Sequence, residues 1–156
     1  SSMVGQNIGA GKYDRVQRIV GTVFLLNSVC FFLMICVVFF FPQTVFGFFT
    51  DDAGVLLVCM EYVPVSLVGF VCSALRDSMN AFTNGCGNYK FNFAVAIVDG
   101  IVARIGFSLL LGVTLDLGYF GFWMGNAIAG VTPFLLGAVY YLSGRWRKKS
   151  QLIVET

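Results

Sequence analysis

Four long apolar segments constrain the fold of this chain more than any other feature of its sequence. They run from Ile19 to Phe41, from Ala53 to Leu75, from Phe91 to Leu115 and from Leu117 to Leu142. Each is long enough for the roughly 20 residues that a helix needs to cross the hydrocarbon core of a bilayer. Membrane-spanning strands are about ten residues long and alternate in polarity, whereas these segments are continuous. The sequence therefore predicts an all-α integral membrane protein with four transmembrane helices.

The composition agrees with a bilayer rather than with water as the solvent. Hydrophobic residues make up 58% of the 156 residues and charged residues 12%, against roughly 45–50% and about 25% in soluble domains. There is no histidine, which excludes a histidine-based metal site or triad in this chain. The five cysteines show no C-x-x-C spacing, and their odd number argues against a disulfide framework. We interpret them as small packing residues.

The basic residues predict the orientation. Eight of the ten lie before the first segment, between the second and third, or after the fourth, at Lys12, Arg15, Arg18, Lys90, Arg145, Arg147, Lys148 and Lys149. The two opposite loops contain no Lys or Arg, and cytoplasmic loops collect these residues. We therefore expect a cell-membrane protein with both ends of this chain in the cytoplasm. Residues 1–18 would form the cytoplasmic end of a preceding span and a basic loop, 19–142 the four-helix transmembrane domain and 143–156 a cytoplasmic tail.

The third segment carries two charges, Asp99 and Arg104, whose insertion could cost roughly 5–7 kcal/mol. They should therefore face protein or water rather than lipid. In an antiparallel hairpin that turns near Gly87, Arg76 lies at a depth similar to that of Asp99. We predict an ion pair between Arg76 and Asp99. Asp99 and Arg104 lie five residues apart and do not face each other on an α-helix, which leaves Arg104 without an acidic partner in this chain.

Glu61 lies in the second segment, three residues before Pro64, whose missing N–H frees a carbonyl nearby. A carboxylate there is either a proton or cation site or a residue that faces an outward vestibule. Asp51 and Asp52 precede the same segment, where we expect an N-cap and a first-turn acid.

Small residues recur every four positions in the last segment, at Gly121, Gly125, Ala129, Pro133 and Gly137. Such a stripe allows a neighbouring helix to approach closely. We favour packing over substrate contact for the stripe, while Asn126 beside it could serve either role.

The glycine-rich run "VGQNIGAGKYDR" at Val4 to Arg15 is not a phosphate-binding loop. A P-loop has the pattern G-x-x-x-x-G-K-[ST], but Gln6 stands at the first glycine and Tyr13 at the hydroxyl residue. We expect no bound nucleotide and no nucleic acid. An enzyme is the least favoured class, because no nucleophile and base pair or metal cluster is evident.

Three stretches resemble transporters of the MATE family, the multidrug and toxic compound extrusion proteins. The stretch "VGQNIGAGKYDRVQRIV" is similar to the family's cytoplasmic segment after span eight, and "NAFTNGCGNYKFNFAVAIVDGIVARIGFSLLLG" to its hairpin between spans ten and eleven. "VARIGFSLLLG" and "GFWMGNAIAG" resemble the starts of the final two spans. The resemblance implies a C-terminal fragment that forms part of the second six-helix lobe of a twelve-span transporter.

The function implied by this resemblance is secondary antiport. Cationic or amphipathic drugs would leave in exchange for sodium ions or protons, without a cofactor, and the partners would be these substrates, membrane lipid and the missing N-terminal lobe. Two alternatives stay open. One is a lipid-linked oligosaccharide flippase of the same superfamily; the other is a free-standing four-helix protein, either a small dimeric exporter or a structural subunit.

The resemblance also implies site residues. Many family members place a cation-binding carboxylate on span ten, and the corresponding position here is Ser73. The available substitutes are Asp99, Glu61 and Asp77, in that order, as candidates for cation or proton coupling. Arg104 matches an arginine frequent on span eleven, and with Arg76 it is a candidate structural charge partner.

Overall fold

The computed structural model describes residues 1–147, and within them all regular structure is helical. The predicted tail residues 148–156 lie outside the described part. The helices are α1 (Ser2–Gly9), α2 (Tyr13–Phe40), α3 (Pro42–Gly47), α4 (Ala53–Gly85), α5 (Tyr89–Thr114) and α6 (Gly118–Leu142). α5 contains two π-helical stretches, Val98–Ala103 and Leu110–Thr114, and α6 consists of Gly118–Ala129 and Val131–Leu142 on either side of Gly130.

Four of these helices, α2, α4, α5 and α6, are long and apolar enough to cross a membrane, which confirms the predicted fold class. Their ends differ from the apolar segments. α2 begins at Tyr13, ahead of the predicted Ile19, and α4 continues to Gly85, ten residues beyond the predicted Leu75. An apolar run marks the part of a helix that can lie in hydrocarbon, whereas the backbone hydrogen bonds continue into polar sequence.

Local sequence sets the helix starts and turns. The Asp52 side chain caps α4 by accepting from the backbone N–H groups of Gly54 (2.7 Å) and Val55 (3.1 Å), as expected of an N-cap aspartate. Asp51 lies outside the first turn of that helix, so its predicted first-turn role is wrong. The turn between α4 and α5 is made at Gly87, whose φ of 66° lies in the left-handed region that favours glycine.

α4 lies at the centre of the bundle, packed against α2 on one side and α6 on the other, and α5 packs mainly against α6. A buried aromatic cluster packs the helices together at the end of the bundle that carries the basic residues. We call this end the basic end. Phe82 and Trp146 are its most buried rings, and Phe91 stacks on Tyr140 with ring centroids 4.4 Å apart.

The small-residue stripe of α6 is packed, as predicted. Its five positions are all buried. A Cβ on Gly121 would lie 2.5 Å from the carbonyl oxygen of Leu111, and one on Gly137 would lie 2.9 Å from Cβ of Met79. The stripe therefore allows α6 to approach α5 through one part of its length and α4 through the other.

Candidate functional site

Asp99, Arg104 and Asn126 form a connected polar array inside the membrane-spanning helices. The Arg104 guanidinium lies 3.6 Å from Asp99 Oδ2 through Nη2, and its Nη1 donates to Asn126 Oδ1 at 2.7 Å. The side chains of Asp99 and Arg104 are 15% and 32% exposed. Arg104 therefore joins a carboxylate on its own helix to an amide on α6, and the expectation that Arg104 lacks an acidic partner is wrong.

A π-helical turn explains why sequence reasoning missed this pair. The backbone N–H of Arg104 donates to the carbonyl of Asp99, five residues earlier, at the end of the stretch Val98–Ala103. Hydrogen bonds of this i→i+5 type define the π-helix. They bring residues five apart close to the same face, whereas on an α-helix these two side chains would point about 140° apart.

The predicted ion pair between Arg76 and Asp99 is also wrong. Arg76 instead lies beside its neighbour Asp77, with Nε donating to Oδ1 at 3.1 Å. The α4 residues that line a cavity with Asp99 are Asn80, Thr83 and Asn84, which lie at least one turn beyond Arg76. Arg76 and Asp99 are therefore not paired across the hairpin, although they lie at similar distances from its turn.

Glu61 lies near the other end of the bundle in an aromatic setting. The Tyr119 hydroxyl donates to Glu61 Oε2. Tyr119 packs against Trp123 at 5.0 Å between ring centroids, and Trp123 against Tyr62 at 5.3 Å. Within residues 1–147, Glu61 has no Lys or Arg within ion-pair distance. It is the one acidic candidate of the three whose charge is not paired with an arginine in the described structure.

A polar cavity of about 210 Å³ lies between α4 and α5. It is lined by Asn80, Thr83, Asn84, Asn92, Val95, Ala96, Asp99 and Pro133. Asn80 and Asn92 were not among the predicted site residues. Their signal is their spacing, since Asn92 and Asp99 lie seven residues apart and so share a helix face.

A second cavity, of about 280 Å³, lies between α4 and α6. Ser73, Arg76, Arg104 and Asn126 line it, together with Tyr62 at its far end. The cavity thus brings together both arginines that the sequence analysis selected and Ser73, where the resemblance placed the family's carboxylate. Asp77 does not line it.

The described residues contain no group of three or more His, Cys, Asp or Glu side chains that could hold a metal ion. The polar groups available in the membrane-spanning helices of residues 1–147 include carboxylates, amides and arginines. A carboxylate can bind a proton, an alkali cation or an organic cation, an amide oxygen can help to coordinate a cation, and the arginines supply positive charge.

Comparisons with known proteins give a consistent family assignment. The family model MatE matches residues 1–110. The probable multidrug resistance protein NorM of Thermotoga maritima is 23% identical over 99% of this chain, and human multidrug and toxin extrusion protein 1 is 26% identical over 97%. The NorM protein of Bacillus subtilis is 24% identical over 96%.

These alignments cover 33%, 26% and 33% of the respective relatives, so the chain spans about a quarter to a third of their length. No solved structure matches the chain. The family model covers more than half of the chain. The chain belongs to the MatE family of membrane transport proteins.

Proposed function

We propose that the protein containing this chain is a secondary antiporter that exports cationic or amphipathic organic molecules in exchange for protons or sodium ions. The observation that carries the proposal is the Asp99–Arg104–Asn126 array. One oxygen of Asp99 faces Arg104, and the other, Oδ1, is buried and receives no donor from the described residues. A carboxylate with an open oxygen inside a membrane span is suited to bind and release a cation.

Asn126 gives Arg104 a second partner besides Asp99. Because Arg104 already donates to Asn126 at 2.7 Å, it keeps a partner when Asp99 is neutralised. The charge of Asp99 can then be balanced either by Arg104 or by the coupling ion without leaving the guanidinium unpaired. This exchange of partners is what alternating access requires of a coupling residue, because ion binding must favour one conformation over the other.

Glu61 suits the organic substrate better than the coupling ion. Its carboxylate lacks a cationic partner among the described residues, and its hydrogen-bond donor Tyr119 belongs to a cluster of three aromatic rings with Trp123 and Tyr62. Aromatic faces attract ammonium groups by about 0.5–2 kcal/mol. Asp77 remains the third candidate, although its pairing with Arg76 and its 44% exposure make it the least suited.

We further propose that the basic end faces the cytoplasm of a cell membrane and that the chain works as part of a twelve-span transporter with two lobes. The clustering of Lys and Arg at one end supports the orientation. The partial coverage of the relatives supports the need for further spans. The partners would then be the remaining spans, membrane lipid and the organic substrate, with no cofactor.

The test is efflux of a fluorescent organic cation from proteoliposomes that contain the complete protein, under an imposed proton or sodium gradient. We expect Asp99→Asn and Glu61→Gln each to lower the initial rate of efflux about tenfold or more. The reason is that each variant removes a charge interaction from the rate-determining state. Asp99→Asn should also remove the dependence on the ion gradient, because the coupling carboxylate is gone.

Asp116→Asn is the matched control. It removes one carboxylate in the same way, but Asp116 is exposed and sits in a turn at a φ of 54°, which asparagine tolerates. Its efflux should match that of the parent protein. Wild-type efflux from both Asp99→Asn and Glu61→Gln would contradict the proposed roles.

A further inference from the structure

Two buried oxygens in the cavity between α4 and α5 lack a hydrogen-bond donor from the described residues. One is Oδ1 of Asn92 and the other is Oδ1 of Asp99. The amide of Asn92 is held in this orientation because its Nδ2 donates to two acceptors, the Thr83 carbonyl at 3.3 Å and Asn84 Oδ1 at 3.0 Å. A buried oxygen without a donor is costly. Both oxygens therefore call for a donor that occupies the cavity.

One metal ion cannot serve both oxygens. Asn92 and Asp99 are seven residues apart on the same helix face, about 10 Å along the axis at roughly 1.5 Å per residue. Hard cations bind oxygen at about 2.3–2.6 Å. Water fits better, because a cavity of about 210 Å³ has room for several molecules at roughly 30 Å³ each.

The polar residues of the cavity run from the basic end of the bundle to Asp99. Asn84 and Asn92 lie close to the turn at the basic end, and Asn84 is exposed, whereas Asp99 lies two helical turns deeper. Pro133 of α6 closes one wall. Polar side chains thus follow one another from the exposed end of the cavity to a carboxylate within the membrane domain.

We propose that this cavity holds a file of water molecules that carries protons between the basic end of the bundle and Asp99, so that the proton is the ion exchanged there. A proton enters from bulk water at Asn84, passes along the waters, and binds Asp99 Oδ1 to give the neutral acid. Its O–H then donates to the nearest water, while Arg104 stays with Asn126. Release reverses these steps. The role in transport rests on the proposed antiport, but the path itself does not.

Few charged or titratable groups surround Asp99 in the described structure. Arg104 is its ion-pair partner. The residues that line the cavity with Asp99 from α4 and α6, namely Asn80, Thr83, Asn84 and Pro133, carry no titratable group. A pH-dependent signal from this cavity in the described structure therefore belongs to Asp99.

Infrared difference spectroscopy of the complete reconstituted protein tests the path without any substrate. The Asp99 carboxyl band, assigned by its loss in Asp99→Asn, should appear on acidification and shift rapidly after transfer to D2O. Ala96 is exposed and lines the cavity, so Ala96→Phe should narrow the cavity and slow that shift about tenfold. Ala96→Val should slow it less, since each added group raises the barrier to water. Ala94→Phe is the control, because Ala94 is exposed on the same helix and does not line the cavity.

Exchange at the wild-type rate in both Ala96 variants would overturn the water path. A band that responds to sodium at constant pH, and not to pH, would also overturn it and would assign a metal ion to Asp99. Failure of the proposed function would give a different result. Organic-cation efflux would be absent, while the carboxyl proton of Asp99 still exchanged rapidly with D2O and Ala96→Phe still slowed this exchange.

Discussion

Among single residues, Cys86 has the chemistry that is most altered by its surroundings outside the membrane spans. Burial raises the pKa of its thiol to about 12. Because the thiolate is the nucleophile, Cys86 should react with a maleimide on the order of a hundred- to a thousand-fold more slowly in the folded protein than in the unfolded chain. The measurement is labelling of Cys86 against pH, by mass spectrometry of the modified peptide. Equal rates in the folded and unfolded protein would contradict the burial.

The raised pKa of Cys86 also makes the stability of the folded protein depend on pH. A thiol whose pKa is raised in the folded protein contributes stability that is fully present below the ordinary value of 9.0 and is lost as the pH rises towards about 12. Cys86→Ser should therefore flatten the fall in the melting temperature in that alkaline window and leave the neutral range unaffected by this titration.

The sequence identified which residues are unusual better than it identified their partners. Asp99, Arg104 and Glu61 stand out because a charge in an apolar segment is costly whatever its neighbours are. Pairing depends on rotation about the helix axis, which an almost uniformly apolar segment does not record. The predicted partner of Asp99 was therefore Arg76, and the Tyr119 hydroxyl beside Glu61 was not foreseen.

For whole helices, the close contact of α6 with α5 depends on Gly125. A Cβ there would lie 2.5 Å from the backbone nitrogen of Ser108 and 2.6 Å from the carbonyl of Phe107. Backbone atoms cannot move aside as a flexible side chain can, so Gly125→Ala should lower the free energy of unfolding by about 1–3 kcal/mol. Thermal melting of the purified protein in detergent measures the change.

Gly106→Ala provides the comparison for this contact. Gly106 lies on the facing helix, and a Cβ there would meet no atom within 4 Å. Since alanine is favoured over glycine inside a helix by up to about 1 kcal/mol, this variant should melt at the same temperature or higher. If Gly125→Ala melted with it, the helices would not be as close as the structure indicates.

The helices themselves were predictable, whereas their internal geometry was not. Four apolar runs, the Asp52 cap and the four-residue glycine spacing each follow from local rules that act on neighbouring residues. The π-helical stretches of α5 do not, because the sequence Val98–Ala103 contains no proline and no clear change of period. The π-helical stretch Val98–Ala103 pairs Asp99 with Arg104, and this pairing is visible only once the backbone hydrogen bonds are known.

On the scale of the whole molecule, the order of motifs gave the family, and the family model over residues 1–110 confirmed it. The described helices also leave much of their apolar surface uncovered; Leu57 of α4 and Leu142 of α6 are 70% and 81% exposed. In a membrane protein such surface faces lipid or further spans. The orientation in the membrane follows from the distribution of charge rather than from the packing of the helices.

The orientation can be tested with two cysteine variants in a background from which the five native cysteines have been removed. Asp51 and Lys90 are both exposed. Asp51 precedes α4 and Lys90 lies in the first turn of α5, so the two residues are at opposite ends of the bundle. Because Lys and Arg collect at the cytoplasmic face, Asp51→Cys should be labelled by a membrane-impermeant maleimide on intact cells, whereas Lys90→Cys should be labelled only after the cells are opened. Labelling of Lys90→Cys on intact cells would reverse the assignment, and the water path to Asp99 would then open to the outside of the cell.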